Sequence, residues 1–193
     1  MKTEEAWSGS FGDEYTIRNL ESSENKVKYL QTIAKDTEIL EVGCNVGNQL
    51  KILHDMGYTN LHGIDICRSA ISIAKEKHLG IKFQQASLLD LPFNDNEFDL
   101  VFSSGVLIHI HPKDLPKAMS EMHRCSKQYI YGYEYFRPIC KGYNYRNEGT
   151  LCWRNNFLKL FLKQFLDLKL IKKKLEMRNI RDWRMKYLLE LKQ

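Results

Sequence analysis

Glu41-Val42-Gly43-Cys44-Asn45-Val46-Gly47 is the stretch on which the fold turns. It follows an apolar, strand-like run, Thr37-Glu38-Ile39-Leu40, and opens a helix-like run from Asn48 to His54. A glycine-bearing turn between a strand and a helix lets a ligand approach the backbone closely. A second strand-like run, Leu61-His62-Gly63-Ile64-Asp65, ends in an acid 22 positions after Gly43. That spacing is near the ~20 residues expected of a carboxylate that grips a ribose. Strand, glycine turn, helix, strand, acid is the order of a nucleoside-cofactor site.

Glu41 separates the possible cofactors. A dinucleotide turn offers a helix N-terminus to a pyrophosphate, and a carboxylate at its mouth would repel that anion. S-adenosylmethionine has no phosphate and carries an ammonium and a sulfonium, which an acid suits. The E-x-G-x-x-x-G pattern resembles motif I of class I S-adenosylmethionine-dependent methyltransferases. Asn45 stands where their middle glycine usually does, and is expected in the left-handed conformation that Asn tolerates best among non-glycine residues.

The 193 residues fit one domain, expected to span 1–193, with a core of its own. An apolar fraction of 43% with ten Tyr, nine Phe and three Trp argues against disorder. No apolar run nears the ~20 residues of a membrane span, and the first residues lack a secretory hydrophobic core. Five cysteines, odd in number and never spaced C-x-x-C, argue against a disulfide framework or structural zinc. No metal site is expected, and the cytoplasm is the expected location. Cys44 reads as a small residue packed beside the ligand. Charge is uneven: from Arg154 on there are 12 Lys and Arg against 4 acids, and before it 17 against 20. The run Leu168-Lys169-Leu170-Ile171-Lys172-Lys173-Lys174-Leu175 reads as an edge strand protected by lysines rather than a nucleic-acid surface.

Periodicity predicts helices over Phe11 to Asn19 and Ser22 to Lys35, the second capped by Ser23. Strands are expected at Glu38 to Val42, Asn60 to Ile64, Ile81 to Gln85, Phe98 to Ser103 and Gln128 to Tyr135. Helices are expected at Gly47 to Met56, Ser69 to His78, after Pro112 to Cys125, and Asn155 to Phe165. Two strands follow, near Leu168 to Glu176 and Arg184 to Leu191. The fold class is therefore α/β: a doubly wound, mostly parallel, seven-stranded Rossmann-like sheet with a terminal antiparallel hairpin. Phe136 to Trp153 lacks periodicity and reads as a functional loop for substrate.

Further segments carry the resemblance onward. Ala86-Ser87-Leu88-Leu89-Asp90-Leu91-Pro92-Phe93 is similar to the family's G-D-A-x-x-L-P-F, where an acid and the next backbone N–H hold the adenine edge. This implies Ser87 and Leu88 at the adenine, with Ile66 following the ribose acid Asp65. Asn96 to His109 resembles strand four and its exit, which implies that Ser104, Gly105 and Val106 lie under the methionine moiety and the adenine. Trp7-x-Gly9-x-Phe11-Gly12-Asp13-x-Tyr15, Arg18-Asn19, Gly105-Val106-Leu107-Ile108-His109-Ile110-x-Pro112 and Glu134-Tyr135 resemble the pseudaminic acid biosynthesis-associated methylases. That resemblance implies a lid within residues 1–36. In it Tyr15, Arg18 and Asn19 close over the methionine end, with Arg18 on its carboxylate and Glu41 near its ammonium. Trp7 and Phe11 read equally as ligand contacts or as a hydrophobic staple.

The cofactor-binding set is thus Tyr15, Arg18, Asn19, Glu41, Gly43, Asn45, Asp65, Ile66, Ser87, Leu88, Ser104, Gly105 and Val106. A base for the acceptor is expected in His109, leaving strand four, or in Glu134, leaving strand five. His111 reads as a turn residue. Strand four lacks an N-P-P-Y turn, and no room remains for a target-recognition domain, which weighs against DNA. The acceptor is expected to be a small polar metabolite, a sugar acid or nucleotide sugar, met by Tyr143, Tyr145, Arg146, Asn147 and Glu148. The alternatives are a protein or RNA methyltransferase using the basic C-terminal half, and a non-enzymatic cofactor-binding module.

Overall fold

The computed structural model describes residues 3–21, 24–146, 149–179 and 182–192. The chain opens with two short helices, α1 (Thr3–Ser8) and α2 (Ser10–Arg18). It then alternates β1 (Ile39–Val42), α3 (Asn48–Asp55), β2 (Leu61–Asp65), α4 (Arg68–Lys77), β3 (Lys82–Gln85), β4 (Phe98–Ser104), α5 (Leu115–Cys125) and β5 (Ser126–Tyr135). A small hairpin of β6 (Lys141–Asn144) and β7 (Thr150–Arg154) follows, then α6 (Phe157–Gln164), β8 (Leu168–Asn179) and β9 (Asp182–Leu191).

Seven strands form one sheet in the order β3-β2-β1-β4-β5-β9-β8, parallel as far as β5 and antiparallel in the two pairings beyond it, β5 with β9 and β9 with β8. The expected doubly wound sheet and terminal hairpin are both present. The chain leaves β1 toward one edge and returns to β4 on its other side. The carboxyl ends of β1 and β4 therefore flank the crevice where open α/β sheets bind ligands. β1 is buried on both faces, and its side chains alternate between the two cores. Leu40 and Val42 face the core under α5 and α6, whereas Ile39 faces the core under α3 and α4. Glu41 shares the face of Ile39 and is buried in a central strand, where an isolated charge is costly.

The expected edge strand is β8, with Lys169, Lys172, Lys173 and Lys174 exposed along it. Three expectations need correction. Between Glu24 and Lys35 the only helical segment is a 3-10 turn at Lys28–Leu30; the proposed cap Ser23 lies outside the described residues. Side chains from the core take this segment's backbone groups instead of a helix. Gln49 accepts from Lys26 N–H at 2.9 Å and donates to Glu24 C=O at 2.8 Å, while the Tyr58 hydroxyl donates to Leu30 C=O at 2.6 Å. Residues 136–153 are no structureless loop, since they hold most of the β6–β7 hairpin. The N-terminal helical region begins earlier than periodicity indicated, with α1 packed on α2 by Ala6, Trp7 and Phe11.

Candidate cofactor and acceptor site

The turn after β1 carries three left-handed residues: Gly43 at φ 69°, Asn45 at φ 48° and Gly47 at φ 78°. Asn45 thus adopts the backbone predicted for it. At Gly43 a Cβ would lie 2.5 Å from Val106 Cγ2, so glycine is required by space as well as by φ. The turn is tied to β2 by Cys44 N–H donating to Ile64 C=O at 2.8 Å. Asp65, at the end of β2, accepts Asn45 N–H at 2.8 Å on one oxygen and Cys67 N–H at 2.9 Å on the other. Burial raises its pKa and these backbone donors lower it, so the two effects oppose.

Below the turn, Glu41 is 2% exposed and its Oε2 is buried without a partner. Desolvation pushes its pKa well up, while Lys26 pulls it back. Lys26 answers in kind: burial lowers its pKa and Glu41 raises it. A carboxyl and an amine therefore line one cavity, the carboxyl with an open oxygen.

The exit of β4 is held by Glu134. Its Oε1 accepts from Ser103 Oγ at 2.9 Å, Val106 N–H at 3.1 Å and Leu107 N–H at 3.2 Å. Burial raises its pKa to about 7 against these donors. Glu134 does not line the cavity. Its Oε1 anchors Val106 and the following turn, while its Oε2 is buried without a partner, so the base or ammonium site expected of Glu134 stands outside the cavity lining.

His109 does reach the cavity. Its Nδ1 pairs with Leu151 C=O at 2.7 Å, which assigns the proton to Nδ1 and leaves Nε2 a lone-pair acceptor. Burial lowers its pKa to about 4. The ring sits between Trp7, at 4.4 Å between centroids, and Tyr145, at 4.9 Å. A residue of β7 and an N-terminal helix therefore set its orientation.

The cavity encloses about 670 Å³. Tyr15, Asn19, Glu41, Gly43, Asn45, Asp65, Ile66, Leu88, Ser104, Gly105 and Val106 of the expected set all line it, as do His109 and Trp7. Ser104 Oγ and Asn45 Oδ1 are buried there without partners. Arg18 and Ser87 do not line it. Arg18 is exposed and pairs with Glu14 at 3.3 Å, one helical turn back. Ser87 Oγ donates to Glu4 and accepts Leu89 N–H at 2.9 Å. Asn147 and Glu148 lie outside the described residues, and Tyr143, Tyr145 and Arg146 are not in the lining. Sequence reasoning missed Lys26, hidden in a segment read as helix, and Glu4. It also passed over His111, Lys113 and Asp114, which enter the lining around Pro112.

Comparison with known proteins agrees with this geometry. Residues 39–129 match the family model described as a methyltransferase domain. The phosphoethanolamine N-methyltransferase of Plasmodium falciparum is 23% identical over 120 residues, which cover 61% of this chain and 45% of that protein. The chain thus spans less than half the length of that relative. Among solved structures, magnesium protoporphyrin IX methyltransferase from Synechocystis PCC 6803 with bound SAH superposes with a TM-score of 0.74 at 13% identity. That match covers 97% of each chain. The 1,6-didemethyltoxoflavin-N1-methyltransferase of Burkholderia thailandensis, with its substrate and S-adenosylhomocysteine bound, gives a TM-score of 0.74 at 12% identity. It covers 98% of this chain and 87% of that one. At such identities the structures establish the shared fold. The glycine turn, Asp65 and the β4 exit all lie inside the segment, residues 39–129, that is similar to the methyltransferase domain.

Proposed function

We propose that this chain is an EC 2.1.1 enzyme that moves the methyl group of S-adenosylmethionine to an oxygen or nitrogen of a small polar metabolite. A sugar acid or nucleotide sugar of glycan biosynthesis is the acceptor class, in keeping with the resemblance to the pseudaminic acid-associated group. The observation that carries the cofactor reading is the buried, unpartnered Glu41 Oε2 opposite Lys26. An amino-acid head brings an ammonium for the first and a carboxylate for the second. Lys26 takes the place that the family resemblance gave to Arg18. Asp65 keeps lone pairs for ribose hydroxyls beyond its two backbone donors. The two neighbours with bound S-adenosylhomocysteine lend the same support.

The bound cofactor supplies an electrophilic methyl on a sulfonium. The chain supplies alignment and exclusion of water. Residues 1–36 act as lid, with Trp7, Tyr15 and Asn19 over the cavity. His109 Nε2 accepts the proton of the incoming hydroxyl or neutral amine. A pKa of about 4 leaves it unprotonated at neutral pH. That basicity suffices, because an alkylated hydroxyl becomes far more acidic as the new bond forms. Lys113 and His111, in the same lining, offer a cation and a polar ring to an acidic acceptor.

Among the described residues none beyond Asp114 is in the lining, and the lysines of β8 lie on the sheet's outer edge. That placement favours a small acceptor over an RNA or protein held by the basic half. Calorimetry with S-adenosylmethionine and S-adenosylhomocysteine, followed by turnover on sugar acids and nucleotide sugars, tests the proposal. Lack of binding removes the enzyme reading. Binding without turnover of any such acceptor removes the acceptor class, and a steep salt dependence of binding to RNA points to the alternative.

A further inference from the structure

We infer that Glu4 holds the exocyclic amine of the cofactor's adenine and makes the site selective for that base; this rests on the S-adenosylmethionine reading above. An aromatic amine is a donor and needs an acceptor when its base is buried. Beyond β3 the cavity wall is Ala86, Leu88 and Leu89, with Ile66 from the end of β2. Those apolar surfaces suit the faces of a purine and offer its edge no side-chain acceptor.

Ser87 occupies the position from which an acid would serve, but its hydroxyl is committed. Its single proton goes to Glu4 Oε1, and its oxygen takes Leu89 N–H at 2.9 Å. Ser87 also lies behind the lining, whereas Glu4 is in it. Ser87 therefore aims a carboxylate that arrives from α1, 83 positions earlier in the chain. Glu4 lines the cavity, and the hydrogen bond from Ser87 engages its Oε1, leaving the second carboxylate oxygen for a ligand donor. The other acids of the lining are Glu41 and Asp65 at the glycine turn and Asp114 beside Lys113. Glu4 is thus the carboxylate on the β3 side. A charged acceptor is about twice as strong as a neutral one, so the base is gripped by a residue of the lid.

S-Inosylhomocysteine tests this, because a carbonyl replaces the amine and would face the Glu4 carboxylate. Calorimetry on the full chain is expected to show S-adenosylhomocysteine bound at least about tenfold more tightly than the inosyl compound. Glu4→Ala should weaken the adenosyl compound about tenfold and bring the ratio of the two close to one. The double variant Glu4→Ala with Ser87→Asp should restore the preference by returning a carboxylate to the same edge. A preference that survives Glu4→Ala, or one absent from the wild type, overturns the assignment. Wild-type protein that binds neither compound overturns the cofactor reading beneath it, a distinct result.

Discussion

The floor and the roof of the cavity are built by opposite means. The floor is local: the turn after β1, the acid ending β2 and the exit of β4 are joined through backbone bonds between neighbouring parallel strands. The roof is assembled from segments far apart in sequence, as α1 and α2 meet the β6–β7 hairpin over His109. The difference teaches that a floor of this kind is fixed by the sheet, while the roof depends on a few side chains. Substitutions in the floor should therefore cost stability, and those in the roof should chiefly change how the site works.

The largest effect is expected at Glu134. Its truncation to Ala leaves Ser103 Oγ and the Val106 and Leu107 amides without their shared acceptor. Unfolding free energy should fall by roughly 4 kcal/mol, read from urea denaturation. A loss under about 1 kcal/mol would mean that the β4 exit is held by something else.

His109 sharpens the comparison from the roof, because its burial is a roof property. Its folded pKa, about 4, lies below the ordinary 6.5. The unfolded chain therefore takes up a proton first as pH falls. Stability from this group is full above pH 6.5 and is lost as pH drops through the window down to about 4. The loss approaches roughly 3 kcal/mol at the acid end. Glu134 acts in the other direction. Its folded pKa is raised from 4.5 to about 7, so its contribution is full below pH 4.5 and lost as pH rises through about 7. Denaturation midpoints of wild type and His109→Gln should converge on acidification from pH 6.5 to 4. A pH-independent gap would show that His109 is not sealed under the roof.

Asp65 comes next. Replacing it with Ala should cut S-adenosylhomocysteine affinity about a hundredfold, or roughly 2.7 kcal/mol, with the far-ultraviolet circular dichroism unchanged. Retained affinity would move the ribose elsewhere and leave Asp65 as a mere brace for Asn45 and Cys67.

The same contrast explains what could be read from the sequence. Glu41, Gly43, Asn45 and Asp65 announce themselves because a strand-turn-helix-strand unit places them through short-range geometry alone. β1 to β5 and the terminal pair were legible for the same reason, as each carries its own periodicity. The roof was not. Lys26 sits in a segment whose amphipathic spacing reads as helix, yet Gln49 and Tyr58 claim its own backbone N–H and its neighbours' carbonyls. Glu134 looks like an exposed strand end until Ser103 and two amides are seen to converge on it. Glu4 becomes meaningful only through Ser87, 83 positions away. No local pattern encodes such a contact.

The smallest effect is expected at Asn45, where floor and roof touch. Its backbone belongs to the turn at φ 48°, and its Nδ2 donates to Thr16 Oγ1 of α2 at 3.1 Å. Glycine relieves the left-handed cost of about 1 kcal/mol, and loses a hydrogen bond worth about the same. Asn45→Gly should therefore change unfolding free energy by less than about 1 kcal/mol and S-adenosylhomocysteine affinity by less than about threefold. Asn45→Ala keeps the strain and loses the bond, so it should be the less stable of the two by about 1 kcal/mol. The buried Asn45 Oδ1 has no partner, which makes the glycine variant decisive. A tenfold loss of affinity with stability intact would show the side chain itself on the ligand, so that the floor would contribute chemistry as well as shape.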